Sequence, residues 1–244
     1  MSVIAFHGCS FTWGAGLHNY YLREHKQYTN KQLIELEKQH LNLEHFPKEV
    51  DDYRKENHFP NLVAEHFNVP YILSLQGNGG DNESIFERIE TPFTYHNECA
   101  QLHVIQLSAP ARGNLNWNEL EGLNLENPDD LIEMQIESII FRLKQNITNS
   151  TSTKILFLCW FVEHAEYIQT NYPDLLIPII CGKNTYDSFD VFINRSNIEP
   201  FSLLIKDDIG GMKDEHFSKK GTRVIADSII KKISKDIEFN IINI

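Results

Sequence analysis

Short apolar runs alternate with amphipathic stretches along most of the chain, and this alternation constrains the fold more than any other feature of the sequence. Apolar runs bounded by turn residues predict strands at residues 3–6, 71–75, 103–107 and 154–161. Helical spacing of apolar residues predicts helices at 59–67 and 129–146, another that Asp81 or Asn82 would cap, and a last one from Ser218 onward. Strands that alternate with helices pair in parallel through right-handed crossovers, which predicts a three-layer α/β/α sandwich around a doubly wound sheet.

Two segments fall outside this alternation. Residues 19–58 are rich in charge, His and Tyr, and residues 163–208 carry three prolines without clear periodicity. A chain of 244 residues can bury the core of one α/β domain. We therefore expect a single domain over 1–244, with a charged, largely helical insertion at 19–58 and an irregular insertion at 163–208. The first insertion is either a solvated excursion or a lid.

Composition restricts the partners and the compartment. The 34 acidic and 22 basic residues give a formal charge of −12, which disfavours nucleic acid and anionic membranes as partners. The four cysteines lie far apart without CxxC or zinc-type spacing, so no metal site is expected. No run is long enough to span a membrane, and the short N-terminal apolar run lacks the basic flank of a signal peptide. These features predict a cytoplasmic protein.

The first predicted strand ends abruptly in Gly8-Cys9-Ser10. A serine presented at the carboxyl end of a strand is a common way to expose a nucleophile. It is also a common way to turn a corner, and this segment alone leaves both interpretations open. Trp13, in the same turn, either lines a pocket or covers the edge of the sheet.

A second candidate group, Asp214 and His216, stands just before the last predicted helix. A doubly wound sheet gathers its loops at the carboxyl edge of the strands, so His216 is able to reach Ser10 there. An aspartate two positions away is able to bond the other imidazole nitrogen, which is what a Ser-His-Asp triad needs. The alternative is that His216 is only a neighbour of the helix cap.

A third group follows the second predicted strand, where Gly79-Gly80-Asp81-Asn82 opens a helix. Glycines allow close approach of the backbone, and their amides near a helix start are typical parts of an oxyanion hole. A plain turn is the alternative for the glycines, and a helix cap is the alternative for Asn82.

Three stretches taken together, GCSFTWG, FPNLVAEHFNVPYILSLQGNGGDNESI and DEHFSKKGTRVIADSI, resemble the sequence blocks of the SGNH (GDSL-like) hydrolase superfamily. The likeness is greatest to divergent members from phages and environmental bacteria. The resemblance implies a flavodoxin-like α/β/α fold and cofactor-free hydrolysis of esters, often acyl esters on sugars or lipids. It also implies that Ser10 is the nucleophile, His216 the base, Asp214 its partner and Gly80 an oxyanion donor.

The chain departs from the family pattern at two places. Cys9 stands where the family has Asp, and Ser108-Ala109-Pro110 follows the third strand where Gly-x-Asn-Asp is usual. In the family this Asn side chain donates to the oxyanion, so Asn82, Ser108, Asn114 and Arg112 are the candidates to replace it.

The sequence therefore predicts an SGNH-type esterase or carbohydrate deacetylase that acts on a small-molecule or glycan ester. The altered third block supports an alternative, a weakly active or inactive binding module or an acyltransferase. A third reading is a metal-dependent phosphoesterase built on His7, Asp214 and His216. It lacks the clustered carboxylates that such sites need.

Overall fold

The computed structural model describes residues 3–27, 29, 32, 47–75, 82, 85, 100–108, 128–146, 154–195 and 216–236. Its strands are β1 (Val3–Gly8), β2 (Tyr71–Leu75), β3 (Ala100–Leu107), β4 (Lys154–Cys159), β5 (Ile179–Cys181) and β6 (Asn184–Tyr186). Its helices are α1 (Ser10–Trp13), α2 (Leu17–Glu24), α3 (Lys48–Asn57), α4 (Phe59–Phe67), α5 (Pro128–Asn146), α6 (Val162–Asn171), α7 (Phe189–Arg195) and α8 (Lys219–Asp236).

The central sheet is parallel and has the strand order β2-β1-β3-β4. β1 therefore lies between β2 and β3, and the chain winds outward from it in both directions. On the far side of β4, Leu176 forms a parallel bridge with Phe157. The predicted α/β architecture with a parallel, doubly wound sheet is confirmed, and the four predicted strands are β1 to β4.

Two apolar layers cover the two faces of the sheet. Alternate strand residues such as Phe6 and Val104 pack against α4 and α8, where Val63 and Ile229 are buried. The other face packs against α5 and α6, whose buried members include Ile136 and Ile168. Because side chains alternate along a strand, β3 and β4 contribute buried apolar residues to both layers.

The last helix begins as its sequence predicts. Ser218 Oγ accepts the backbone N–H of Gly221 at 3.1 Å, and its carbonyl accepts that of Thr222 at 2.8 Å. These bonds satisfy amides that would otherwise be unpaired at the helix start. The cap fixes the direction in which the chain enters α8, and His216 lies two residues upstream.

The segment expected to be irregular is more ordered than its sequence indicates. Its described part contains α6, the β5–β6 hairpin and α7. The buried face of α6 is His164, Ala165 and Ile168, so a buried histidine hides its amphipathic pattern. The other elements are shorter than the windows over which periodicity is visible. The first insertion includes most of α2 and all of α3, and most of 28–46 lies outside the described residues.

Candidate active site

The nucleophile turn, which we define as residues 8–12, lies at the carboxyl edge of the central strand β1. β1 ends at Gly8, and Ser10 is the first residue of the one-turn helix α1. The strand order places β2 and β3 on either side of this turn. The backbone of Ser10 is thus presented at the edge where a doubly wound fold binds its ligands. The side chains of Ser10 and Trp13 lie outside the described part of the structure.

The buried side chain of Gln106, on β3, contacts this turn. Its Oε1 accepts the backbone N–H of Cys9 at 3.3 Å, the Cys9 thiol at 3.1 Å and the Thr12 hydroxyl at 3.1 Å. Its Nε2 donates to the carbonyl of Leu107 at 3.0 Å. Cys9 and Thr12, which flank Ser10 in the sequence, are therefore both bonded to one oxygen atom of β3.

His216 lies against the same turn from the opposite end of the chain. Its imidazole centroid is 4.9 Å from the ring centroid of Phe11, the residue that follows Ser10. Phe11 also contacts Trp160 at 4.3 Å and Phe217 at 5.1 Å. Trp160 follows β4, so aromatic rings from three separate parts of the chain meet at one edge of the sheet. The structure brings His216 beside the nucleophile turn, as the order of the sequence blocks requires.

Asn82 is buried, and its amide is used inside the protein. Its Nδ2 donates to the carbonyl of Ser108 and to Gln135 Oε1, both at 3.2 Å, and its Oδ1 accepts the Ser108 N–H at 2.8 Å. Asn82 thus bonds both backbone groups of Ser108, the residue after β3. These contacts engage both ends of the Asn82 amide inside the protein, which favours a structural role for Asn82; its oxyanion role stays a prediction.

The same network reaches α6. His164 Nε2 lies 3.2 Å from Gln135 Oε1, and burial lowers the pKa of His164 to about 4. The imidazole is therefore neutral at pH 7. Ser108 is itself buried, and Asn82 bonds its backbone N–H and carbonyl. Gln135 and His164 stabilise the end of β3 from outside the sheet.

His7 is buried between strands. Its Nε2 lies 3.0 Å from His103 Nδ1, and the two rings stack with their centroids 5.2 Å apart. Burial lowers the pKa of His103 to about 4. This geometry is that of a packed histidine pair, which does not favour the metal-ligand role that the phosphoesterase interpretation gives to His7. Within the described ranges, no group of three or more His, Cys, Asp or Glu residues is placed to hold a metal ion.

The first insertion contacts the start of α8. Lys219 Nζ donates to Tyr53 Oη at 2.8 Å and lies 5.9 Å from the centre of the Tyr20 ring. Tyr53 Oη in turn donates to Glu24 at 2.9 Å. The helices α2 and α3 contact each other, and Tyr53 of α3 bonds Lys219, which follows His216 by three residues.

Several predicted site residues lie outside the described residues: Gly79, Gly80, Arg112 and Asp214. Their roles remain predictions. Sequence reasoning missed Gln106, Phe11 and Trp160, although a polar residue inside the buried run HVIQL marks Gln106 as unusual. Across the described parts of the chain, no helix is both long enough and apolar enough to cross a membrane.

Comparison with known proteins supports the fold. No protein-family model and no curated protein sequence matches the chain. A carbohydrate esterase whose active site displays divergent catalytic and non-catalytic binding functions superposes with a TM-score of 0.52 at 15% identity, over 96% of this chain and 65% of that one. This chain thus spans less than two thirds of that esterase. The chain therefore shares its α/β fold with that carbohydrate esterase.

Two further solved structures resemble the chain at lower TM-scores. A protein assigned to the lipolytic G-D-S-L family, from Desulfitobacterium hafniense DCB-2, gives 0.45 at 11% identity, over 95% of this chain and 99% of that one. A lipase from a goat rumen metagenome gives 0.47 at 13% identity, over 95% of this chain and 97% of that one.

Proposed function

We propose that this protein is a serine hydrolase of the SGNH type that cleaves an ester, with Ser10 as nucleophile, His216 as base and Asp214 as its partner. The observation that supports this proposal most is the contact between His216 and Phe11. It places an imidazole beside the residue that follows Ser10, at the carboxyl edge of the sheet. A base must lie close to its nucleophile before its pKa matters.

In the proposed reaction, His216 takes the proton of Ser10 Oγ as that oxygen attacks the ester carbonyl. The tetrahedral intermediate collapses to an acyl-enzyme, and the imidazolium returns the proton to the leaving alcohol. Water, activated by the same imidazole, then releases the acid and restores Ser10. Asp214 would hold the imidazole tautomer and stabilise its charged form.

The negative oxygen of the intermediate needs donors that are already in place. We assign this role to the backbone amides of Ser10 and Gly80. Because the Asn82 amide is bonded inside the protein, Ser108, Arg112 and Asn114 are the remaining candidates for a side-chain donor. Removing one donor from such a site lowers the rate by about 10²–10³, so an incomplete set predicts a slow enzyme.

The substrate class that fits best is an ester of a small molecule or a glycan. Phe11 and Trp160 are only partly buried and lie beside His216, where aromatic faces suit a sugar ring or an acyl group. The structural likeness to a carbohydrate esterase agrees with this class. Trp13, in the same one-turn helix as Ser10, is proposed to line the pocket.

A fluorophosphonate probe tests the proposal, because it labels an activated serine. We expect labelling of the wild-type protein, none of Ser10→Ala, and hydrolysis of p-nitrophenyl acetate by the wild type alone. The altered block after β3 favours a second candidate, a binding module with the same cleft. Absence of both labelling and turnover in the wild type would establish that second candidate over the enzyme.

A further inference from the structure

We propose that Gln106 is a positioning residue for the nucleophile, which it holds through three hydrogen bonds to the nucleophile turn. The inference rests on the proposed function, since it concerns the placement of Ser10. It assigns a role to a side chain that lies on the neighbouring strand and that no block of the family resemblance includes.

The three donors to Gln106 Oε1 flank the serine on both sides. The N–H and thiol of Cys9 come from the residue before Ser10, and the hydroxyl of Thr12 comes from the second residue after it. Fixing both ends of the four-residue segment from Cys9 to Thr12 leaves Ser10 and Phe11, the two residues between them, little freedom. Ser10 carries both the attacking oxygen and one proposed oxyanion amide, so its placement affects both.

The side chain of Gln106 is itself held rigidly. It is 1% exposed, and its Nε2 donates to the carbonyl of Leu107. That bond directs the amide so that the oxygen, rather than the nitrogen, faces the turn. Rotating the amide by 180° would place its NH₂ group against the donors of Cys9 and Thr12, and its oxygen against the Leu107 carbonyl. Both ends would lose their hydrogen bonds inside the protein, so the observed orientation is strongly favoured.

Gly8 shows how closely the turn fits against this anchor. A Cβ at Gly8 would come within 2.2 Å of Thr12 Oγ1 and 3.0 Å of Gln106 Oε1. Only glycine therefore allows the end of β1 to approach the Thr12–Gln106 pair. The turn packs directly against Gln106 without an intervening side chain.

The same geometry accounts for Cys9, where the family resemblance leads one to expect Asp. The Cys9 thiol points at Gln106 Oε1 and donates to it. An ionised aspartate in its place would set a second acceptor against that oxygen, inside the protein. Cys9 and Gln106 are thus a matched donor and acceptor.

The test compares the rate of fluorophosphonate labelling, and kcat and KM for p-nitrophenyl acetate, among four variants. Gln106→Met keeps the volume and removes the acceptor, whereas Gln106→Glu keeps an acceptor oxygen. Thr12→Val removes one of the three donors. The control is Ser228→Ala: Ser228, a buried residue of α8, accepts the backbone N–H of Ile180 on β5 and donates to the carbonyl of Val224. Unfolding in urea reports the stability of each variant.

We expect Gln106→Met to label about 10²-fold more slowly, because small displacements of a reacting atom have effects of that size. KM should stay near the wild-type value while kcat falls, and Gln106→Glu should recover part of the rate. Ser228→Ala should lose stability but label at the wild-type rate. If the Met variant does not fold, Thr12→Val decides, with labelling about fivefold slower as the expected result.

Two results would overturn the inference. Wild-type labelling by every folded Gln106 and Thr12 variant would show that the anchor does not position Ser10, while leaving the proposed hydrolase intact. Failure of the wild-type protein itself to label or to turn over ester would overturn the proposed function, and this inference with it.

Discussion

The imidazole of His216 packs against the ring of Phe11 with 4.9 Å between their centroids and a 41° angle between their planes. Phe11 follows Ser10 near one end of the chain, and His216 precedes α8 near the other. A single aromatic ring therefore connects the two outer sequence blocks across the edge of the sheet. The first two predictions follow from this contact.

Replacing Phe11 with Leu should impair catalysis more than stability. Leucine keeps much of the apolar volume, so the free energy of unfolding should fall by only about 1–2 kcal/mol. The imidazole loses its flat neighbour, so kcat should fall by about tenfold, a part of what a general base contributes. Urea unfolding and p-nitrophenyl acetate hydrolysis measure the two effects. A folded Phe11→Leu variant with unchanged kcat would show that the ring does not hold His216.

Replacing His216 itself should remove the base and leave the fold intact. His216→Asn should lower kcat by about 10²–10⁴ with little change in melting temperature, because the side chain is only half-buried. His66→Gln is the matched control, since His66 is exposed on α4 and contacts Phe67. Equal activity of the two variants would rule out His216 as the base.

Asn82→Asp separates an oxyanion donor from a structural clamp. In the observed arrangement, a carboxylate at this position would face the Ser108 carbonyl and Gln135 Oε1, both of which are acceptors. The unfolding free energy should therefore fall by about 3 kcal/mol. Asn61→Asp, an equivalent change near the surface of α4 facing Glu65, should cost about 0.5 kcal/mol. Wild-type stability of Asn82→Asp with a 10²-fold loss of kcat would instead restore the oxyanion role.

The elements that sequence reasoning located are those with strong apolar periodicity. The strands β1, β3 and β4 and the helices α4, α5 and α8 carry buried apolar residues whose spacing is visible in the sequence, and β2 is a short, partly buried apolar run. The carboxyl edge then follows from topology, and with it the approach of His216 to the nucleophile turn. These predictions depend only on the spacing of apolar residues along the sequence, because that spacing determines which face of each element is buried.

The polar contacts were not predictable in this way. Gln106 interrupts an apolar run, and nothing in the sequence shows that its oxygen meets Cys9 and Thr12. Asn82 precedes an apolar helical pattern, so the sequence predicts a helix cap or an oxyanion donor. In the structure its side chain instead bonds the backbone of Ser108, 26 residues away. Such pairs depend on strand register and side-chain direction, which one sequence does not encode in any local pattern.

Stability should fall in mild acid because of His164. Burial lowers the pKa of its folded form to about 4, below the ordinary value of 6.5, so the unfolded chain binds the extra proton first. The stability that comes from keeping His164 neutral is fully present above pH 6.5. As the pH falls from 6.5 toward 4, the free energy of unfolding decreases by up to about 1.4 kcal/mol per pH unit. Urea unfolding between pH 7 and 4.5 should show a shallower decline for His164→Gln, which keeps a partner for Gln135. Identical slopes would mean that His164 does not stay neutral on folding.

Lys219, in α8, connects that helix to α2 and α3, which contact each other. Burial and the Glu24 carboxylate raise the pKa of Tyr53, so its hydroxyl stays protonated and donates to Glu24 while accepting from Lys219. Lys219 and Glu24 are both more than a third exposed, so the coupling should be modest.

A double-mutant cycle with Lys219→Met and Tyr53→Phe should give a coupling free energy of about 1 kcal/mol that shrinks in 0.5 M salt, since salt screens exposed charges. The control cycle is Lys48→Met with Asp52→Asn, an exposed pair within α3, which should give about 0.3–0.5 kcal/mol.

Substrate preference tests whether α2 and α3 also shape the cleft. If they do, Lys219→Met should change the relative kcat/KM for acetyl, butyryl and octanoyl esters. An unchanged order of preference, despite a measured coupling, would mean that α2 and α3 contribute to stability alone.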